Sequence, residues 1–401
     1  MYFKTLNKGE CCACTACEHA CPTKSIIFKI DVEGFKYPEI DRNTCIDCGL
    51  CEKVCPIEHS DYTNFERPPI YAAKLKNIQQ VKKSTSGGIF YLLAKHIIEK
   101  GGIVYGAAFD KNLRLHHKGV ENMQDLESLR GSKYLQSNLE HIFIEINKQL
   151  KSGRWVYFVG TGCQVAGLKS FLRKKYDTLL TSDLVCHGVP SQKMFDTHLQ
   201  YIKKKYHASK VLKYQFRDNE RGIGCEIVDL ENSKGKQFCI CNPSYEISPY
   251  LYSFMYAMTL RPSCYECPFA HIPRQGDITL ADYWGAKKYF PQMNIKNGVS
   301  LVLINNKHGE IIWNTINNDI EFFEGDIHKA SRFNGNLINP TNKPNIRNGI
   351  SEKIEQEGYD RIAKNEFRSP QYWKIKLKNF FIYTPILKHI YREYMYIKNR
   401  I

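Results

Sequence analysis

The chain has 401 residues, 43% hydrophobic and 24% charged, which suits two or three globular domains with real cores and excludes a disordered chain. Lysine and arginine outnumber aspartate and glutamate by 57 to 41, a net charge of +16 that fits a solvated lysine-rich surface or a field steering an acidic redox partner, a phosphate-bearing cofactor or an anionic membrane face. No run of about 18 apolar residues offers a transmembrane helix, and no zinc finger, recognition helix or ribonucleoprotein motif points to nucleic acid.

Residues 1–60 read as one module. Cys11, Cys14, Cys17 and Cys21 precede Pro22, and Cys45, Cys48, Cys51 and Cys55 precede Pro56 with the same spacing, 34 residues on. This is the spacing of a bacterial-type ferredoxin with two 4Fe-4S clusters. Three closely spaced thiolates wrap one cubane, and the fourth cysteine of each run reaches the other. Cys11, Cys14, Cys17 and Cys55 are therefore expected to hold one cluster, and Cys45, Cys48, Cys51 and Cys21 the other. Cys12 is left as a non-ligand. A structural zinc site would space two CxxC pairs more widely, and a disulfide framework needs an export context that the opening MYFKTLNKGE does not suggest. Sixteen cysteines thus predict metal ligation in a reducing cytoplasm. Residues 25–30 and the Gly34 turn read as a hairpin over the clusters.

Residues 61–70, with Pro68-Pro69, read as a linker. A strand over 71–75 follows, then Ser84, Thr85, Ser86, Gly87 and Gly88 ahead of an amphipathic helix over 89–98. The hydroxyls are expected to cap that helix and the glycines to sit in its first turn, an N-terminus suited equally to a phosphate or to ordinary capping. Gly101-Gly102 ends it, and 103–109 reads as a buried strand. Arg130, Lys133 and Tyr134 beside Gly131 could bind phosphate or stack on a ring, or form a surface loop.

Residues 151–345 have an α/β pattern. A strand over 155–159 runs into Gly160-Thr161-Gly162-Cys163-Gln164 and a helix, a mononucleotide-cradle arrangement that is neither a Walker A loop nor GxGxxG. A second strand, 179–185, ends in Cys186-His187-Gly188. Both deliver a cysteine to the carboxyl edge, where open α/β sheets bind ligands. With Cys264 and Cys267 these could complete a third 4Fe-4S site, or be buried or reactive thiols. Cys225, Cys239 and Cys241 read as structural. Asp282 and Trp284, at a strand exit, could flank a flavin or merely pack. The basic aromatic tail, within 346–401, could pack as a terminal helix or lie on a membrane surface as a peripheral contact.

Taken together, Ser86-Gly87-Gly88, the run Gly131 to Ser137, Gly160 to Gln164, Asp183 to Gly188, Cys264 to Pro268, Gly276-Asp277 and Asp282 to Gly285 resemble the coenzyme F-420 hydrogenase/dehydrogenase beta-subunit family with a fused ferredoxin domain. The resemblance spans about residues 1–290 and departs at Gly162, where the family pattern has proline. It implies a multidomain α+β and α/β fold, a ferredoxin-like domain fused to a mixed α/β flavin-binding reductase domain with regions 71–150 and 151–345. It also implies an FAD-containing iron–sulfur oxidoreductase acting on F-420 or another substrate, such as a surface-polysaccharide-related metabolite. Ser86, Gly87, Gly88 and Lys133 are expected at FAD phosphates, Thr161 and Gly162 near the ring or ribose, and His187 as a proton donor. The expected partners are an acidic ferredoxin or flavodoxin, or a catalytic subunit. An electron-transfer subunit without its own substrate and a non-redox protein with structural clusters are the other readings.

Overall fold

The structure is a computed structural model that describes residues 1–59, 63–218 and 224–383. At the N-terminus β1 (Ile26–Ile30) and β2 (Lys36–Ile40) form an antiparallel hairpin with Ile26 opposite Ile40. Gly34 turns it at φ 87°, and a Cβ there would lie 2.4 Å from Lys193 Cβ. Glycine is thus required both by the left-handed backbone and by the close approach to the rest of the chain. The Ser191 hydroxyl donates to the Glu33 carbonyl at 2.6 Å, and Arg347 pairs with the Glu33 carboxylate, so the hairpin tip is fastened down.

The strands β3 (Ile70–Leu75), β4 (Ile103–Phe109), β5 (Leu115–Val120), β6 (Val156–Thr161) and β7 (Leu179–Leu184) belong to one large sheet. A separate antiparallel sheet contains β8 (Ala208–Gln215), β9 (Glu226–Asn232) and β10 (Gln237–Asn242). The chain then returns to the large sheet with β11 (Ile278–Asp282), β12 (Ser300–Ile304) and β13 (Ile320–Glu324). The large sheet has eight strands in the order β13-β3-β12-β11-β7-β6-β4-β5. Its centre, β4, β6, β7 and β11, is parallel, and its flanks are antiparallel.

Alternation along the central strands sends side chains to two cores. Tyr157 and Leu180 join the core under the helices Ile89–Glu99 and Lys307–Ile316. Val156, Phe158 and Leu179 point the other way, into a core shared with the helices Ile142–Lys151 and Gly162–Leu172 and with Cys12, Cys14, Ala16 and Val54 of the N-terminal module. Burial of both faces is what a parallel centre requires, and it explains the nearly unbroken apolar run of β6.

Regions 71–150 and 151–345 build one sheet, with β3 between β12 and β13. One expectation changes. The helix Ile89–Glu99 is capped by Gly88 at φ 91° with no side-chain acceptor, so the hydroxyls of 84–86 do not cap it. Residues 350–367 pack on the body, with Ile350, Tyr359, Ile362 and Phe367 buried against the β8–β10 sheet. Residues 384–401 of the expected tail, and 61–62 of the expected linker, lie outside the described residues. The remainder of that linker is fastened to the sheet, with the Asn64 amide donating to the carbonyls of Arg274 and Gly276. Among the described residues no helix is long and apolar enough to cross a membrane.

Candidate iron–sulfur and cofactor sites

The two cysteine runs repeat one backbone path as well as one spacing. The second residue after the first cysteine has positive φ in both, Ala13 at 53° and Asp47 at 48°. The fourth does too, Thr15 at 64° and Gly49 at 68°. Left-handed residues at these steps curl each loop so that successive cysteines face one interior. A short helix then follows in each, Ala16–Ala20 and Leu50–Lys53, carrying Cys17 and Cys51. Cys11, Cys12, Cys14, Cys17, Cys51 and Cys55 wall one hollow, and Cys55 lies close enough to interact with Cys11, Cys14 and Cys17. Two cysteines of the second run thus stand beside the first run. Cys48 is exposed, so the second run lies nearer the surface.

A second group of thiols forms at the carboxyl edge of the large sheet. Thr161 and Leu184 are register partners on adjacent strands, and Cys163 and Cys186 each follow two residues later. Cys264 ends the 3-10 turn Pro262–Cys264, and Cys267 follows. All four are mutually close enough to interact electrostatically. Gly188 at φ 123° closes the loop, its Cα so near Cys264 that an added Cβ would lie 3.1 Å from the Cys264 Cβ. Burial pushes the Cys186 thiol up to about 12 and that of Cys267 up to about 11. As bare thiols these groups stay protonated at neutral pH, and only a bound cation turns them into the thiolates that ligation needs.

Among the described residues no three His, Cys, Asp or Glu side chains come together tightly enough for a single ion.

The two groups are joined. The Cys12 thiol lies close enough to those of Cys14 and Cys163 to interact with both. The Gln136 amide donates to the Cys12 carbonyl at 3.1 Å, and Arg261 Nε to the Cys11 carbonyl at 2.8 Å. Beneath them a Cβ on Gly167 would lie 2.6 Å from the Cys14 Cβ, so glycine lets the helix Gly162–Leu172 touch the cluster loop. One helix therefore carries Cys163 at its first turn and seats Cys14 along its length. Sequence reasoning missed Cys12, Gln136, Gly167 and Arg261 as parts of this junction. The one available signal was the unexplained Cys11-Cys12 doublet.

The residues expected around a flavin are spread more widely. Ser86 and Thr85 flank the uncapped start of Ile89–Glu99, and the Ser132 hydroxyl reaches Thr85 Oγ1 at 3.4 Å. A Cβ on Gly87 would lie 2.2 Å from the Ala73 carbonyl, and Gly88 sits against Leu75, so strand packing alone demands both glycines. Lys133 is half-buried, and its Nζ donates to the carbonyls of Ser128, Leu129 and Arg130. Burial lowers its pKa to about 7. Arg130 is held by Gln80, Ser84 and Glu127, and Tyr134 stacks on Phe254 at 4.6 Å.

Thr161 and Gln164 form a capping box, and Thr161 Oγ1 lies 3.1 Å from Cys163 Sγ. Gly162 occupies the first helical position with ordinary φ, a place where proline also fits. His187 Nε2 donates to the Phe254 carbonyl at 3.1 Å, while Nδ1 faces Asn336 Oδ1 and Thr341 Oγ1. Asp282 pairs with Arg217 at 2.6 Å, and that guanidinium lies 5.9 Å from the Trp284 ring.

A mixed α/β body carrying a doubled cysteine module at the carboxyl edge of its sheet defines an iron–sulfur electron-transfer protein. Residues 10–58 match the family described as a 4Fe-4S dicluster domain, and residues 153–329 match the family described as the C terminus of the coenzyme F420 hydrogenase/dehydrogenase beta subunit. Residues 153–329 thus belong with the C-terminal part of the coenzyme F-420 hydrogenase/dehydrogenase beta subunits, and residues 10–58 with the 4Fe-4S dicluster domains. A chain from the solved F420-reducing [NiFe] hydrogenase complex of Methanosarcina barkeri, in its xenon derivative, is similar at 18% identity and a TM-score of 0.43, covering 73% of this chain and 93% of that one. No curated protein matches.

Proposed function

We propose that the chain is an FAD-dependent iron–sulfur oxidoreductase moving electrons between three 4Fe-4S clusters and an organic substrate. That substrate would be of the coenzyme F-420 class or a surface-polysaccharide-related metabolite. The observation that carries this reading is the gathering of Cys163, Cys186, Cys264 and Cys267 one thiol away from the ferredoxin module, through Cys12. FAD, when bound, exchanges a hydride for single electrons, the conversion that a chain of one-electron carriers needs at its substrate end.

The chain's own residues divide the remaining work. Ser86 and Thr85, with Ser132, would hold phosphate at the uncapped helix start, where free N–H groups favour an anion. Gly87 and Gly88 let that turn lie flat on β3. Lys133 would reach a phosphate only by giving up its three carbonyls, and otherwise supports the loop from behind. Thr161 and Gly162 would border the ring or ribose beside Cys163. His187 would take up a proton at Nδ1, against Asn336 Oδ1, while Nε2 stays anchored on the Phe254 carbonyl. The internal engagement of Lys133 and of both His187 nitrogens favours a second reading, an electron-transfer subunit that docks on a catalytic partner.

Anaerobic purification with iron and flavin assays on one sample decides between them. About one FAD with about twelve iron atoms per chain is expected. About eight iron atoms would remove the third cluster. Absence of flavin, even after reconstitution with FAD, would sink the enzyme reading and leave the electron-transfer subunit.

A further inference from the structure

Arg261 stands in the seam between the N-terminal module and the body. It is 1% exposed, and all three of its hydrogen bonds end on neutral acceptors. Nε donates to the Cys11 carbonyl at 2.8 Å, Nη1 to Gln136 Oε1 at 3.1 Å and Nη2 to the Lys36 carbonyl at 2.8 Å. The other buried arginines of the region have carboxylates: Arg274 pairs with Asp183 at 2.7 Å, Arg217 with Asp282, and Arg347 with Glu33. Among the described residues Arg261 forms no such ion pair. A guanidinium buried without an anion is costly, so its counter-charge must come from elsewhere.

What faces it is sulfur. Cys11 and Cys12 approach from the module, and Cys163 and Cys264 from the body. The Tyr37 ring stacks against the guanidinium at 4.3 Å. The buried Tyr37 hydroxyl has no hydrogen-bond partner among the described residues. A guanidinium without a carboxylate and a buried hydroxyl without a partner thus meet at the seam.

We propose that Arg261 is the shared counter-ion of two iron–sulfur sites, Cys11/Cys14/Cys17/Cys55 and Cys163/Cys186/Cys264/Cys267, and that it raises the reduction potential of both. The inference rests on the reading that both thiol groups hold 4Fe-4S clusters. Each site gains one negative charge on reduction, and a fixed cation stabilises the reduced form more than the oxidised one. Arg261 touches no substrate; it positions the Cys11 loop and tunes the potentials on either side of the seam.

The test is a redox titration of the anaerobic, cluster-loaded protein with dithionite and mediators, followed by electron paramagnetic resonance. Iron is counted before any potential is measured. Gln136→Glu keeps the guanidinium and gives it a carboxylate where Gln136 Oε1 now accepts, at the loss of the amide's bond to the Cys12 carbonyl. The two near sites should become harder to reduce, each by about tenfold in the reduced-to-oxidised ratio, equal to about 59 mV for one electron. The Cys21/Cys45/Cys48/Cys51 site should not move. Arg261→Gln should shift the same two sites further, and Arg261→Lys should restore much of the loss. If Arg261→Gln fails to fold, Gln136→Glu alone decides. Unmoved midpoints in an iron-complete Gln136→Glu protein, or an equal shift at all three sites, would overturn the tuning role and leave the cluster assignment standing. About eight iron atoms in the unsubstituted protein would overturn the assignment itself, and the shared role with it.

Discussion

A cysteine next to a cluster ligand can be a ligand, a spare or simple packing, and the contacts of Cys12 separate these. Both neighbouring thiol groups have four members without it, and its own thiol is shared between Cys14 and Cys163. Cys12→Ser should therefore keep the full iron content, whereas Cys163→Ser should lose about four iron atoms per chain. An iron assay on the two variants checks this, and loss of iron from Cys12→Ser would make it a ligand. Gly167 is the other residue at the junction whose role is steric. Its missing Cβ would stand 2.6 Å from Cys14 Cβ and 3.0 Å from its Sγ, both held in a loop that cannot swing aside. Gly167→Ala should cost about 1–3 kcal/mol, the usual cost of overpacking, and release iron faster. Gly335→Ala, which meets open space, is the control in the same melting experiment. From the sequence Cys12 was an unexplained doublet and Gly167 one glycine among 26, because a contact over 153 positions leaves no local trace.

At the scale of elements, buried polar groups tie the parts together and set the response to pH. Glu226 on β9 bonds His198 at 2.7 Å, the Asn242 amide at 2.6 Å and the Tyr214 hydroxyl, and His198 reaches Tyr359 at 3.0 Å. The network joins the helix Gln192–Tyr206 to the small sheet and to the helix Tyr359–Asn365. Burial pushes the Glu226 carboxyl up, but His198 and the hydrogen bonds prevail and hold it at about 2. Its stabilisation is present above its ordinary pKa near 4.5 and lost as pH falls from there towards 2. Removing it leaves His198 Nε2, the Tyr214 hydroxyl and the Asn242 amide without their shared acceptor, so Glu226→Ala should destabilise by about 1–3 kcal/mol for each group left unpaired.

His117 gives an earlier acid response. Burial lowers its pKa from 6.5 to about 4, with Nε2 donating to the Val159 carbonyl and Nδ1 facing the Ser137 hydroxyl. The unfolded chain takes up that proton first, so stability should fall as pH drops from 6.5 towards 4. Melting temperatures of the unsubstituted protein and His117→Gln between pH 7 and 5 check this. The unsubstituted protein should lose the more, and parallel curves would remove His117 as the cause. Most individual elements were readable, since β4 and the hairpin follow their periodicity closely and the paired cysteine runs announce their own loops. The cap on Ile89–Glu99 was not, because whether a serine or a glycine ends up as the cap depends on the approach of β3, which periodicity does not report.

For the whole molecule, the position of β3 and the location of the charge were the features least open to sequence reading. β3 pairs with strands more than 200 residues away, and only the assembled sheet reveals it. The charge of +16 is a sum, and residues 1–59 contain nine acidic and seven basic side chains. The positive field therefore originates on the reductase body and beyond, while the module that carries the exposed Cys48 is slightly negative. An acidic donor would be drawn in by the whole chain at long range and oriented locally against the module, a contact too weakly charged to hold it alone. Screening removes the first effect, since the Debye length falls from about 10 Å at 0.1 M salt to about 3 Å at 1 M. Reduction of the clusters by an acidic ferredoxin, followed by stopped-flow bleaching, should accordingly slow as salt rises from 0.1 to 1 M, on the order of tenfold or more. A rate indifferent to salt would mean that the natural donor is not acidic and that electrons enter through a docked catalytic partner instead.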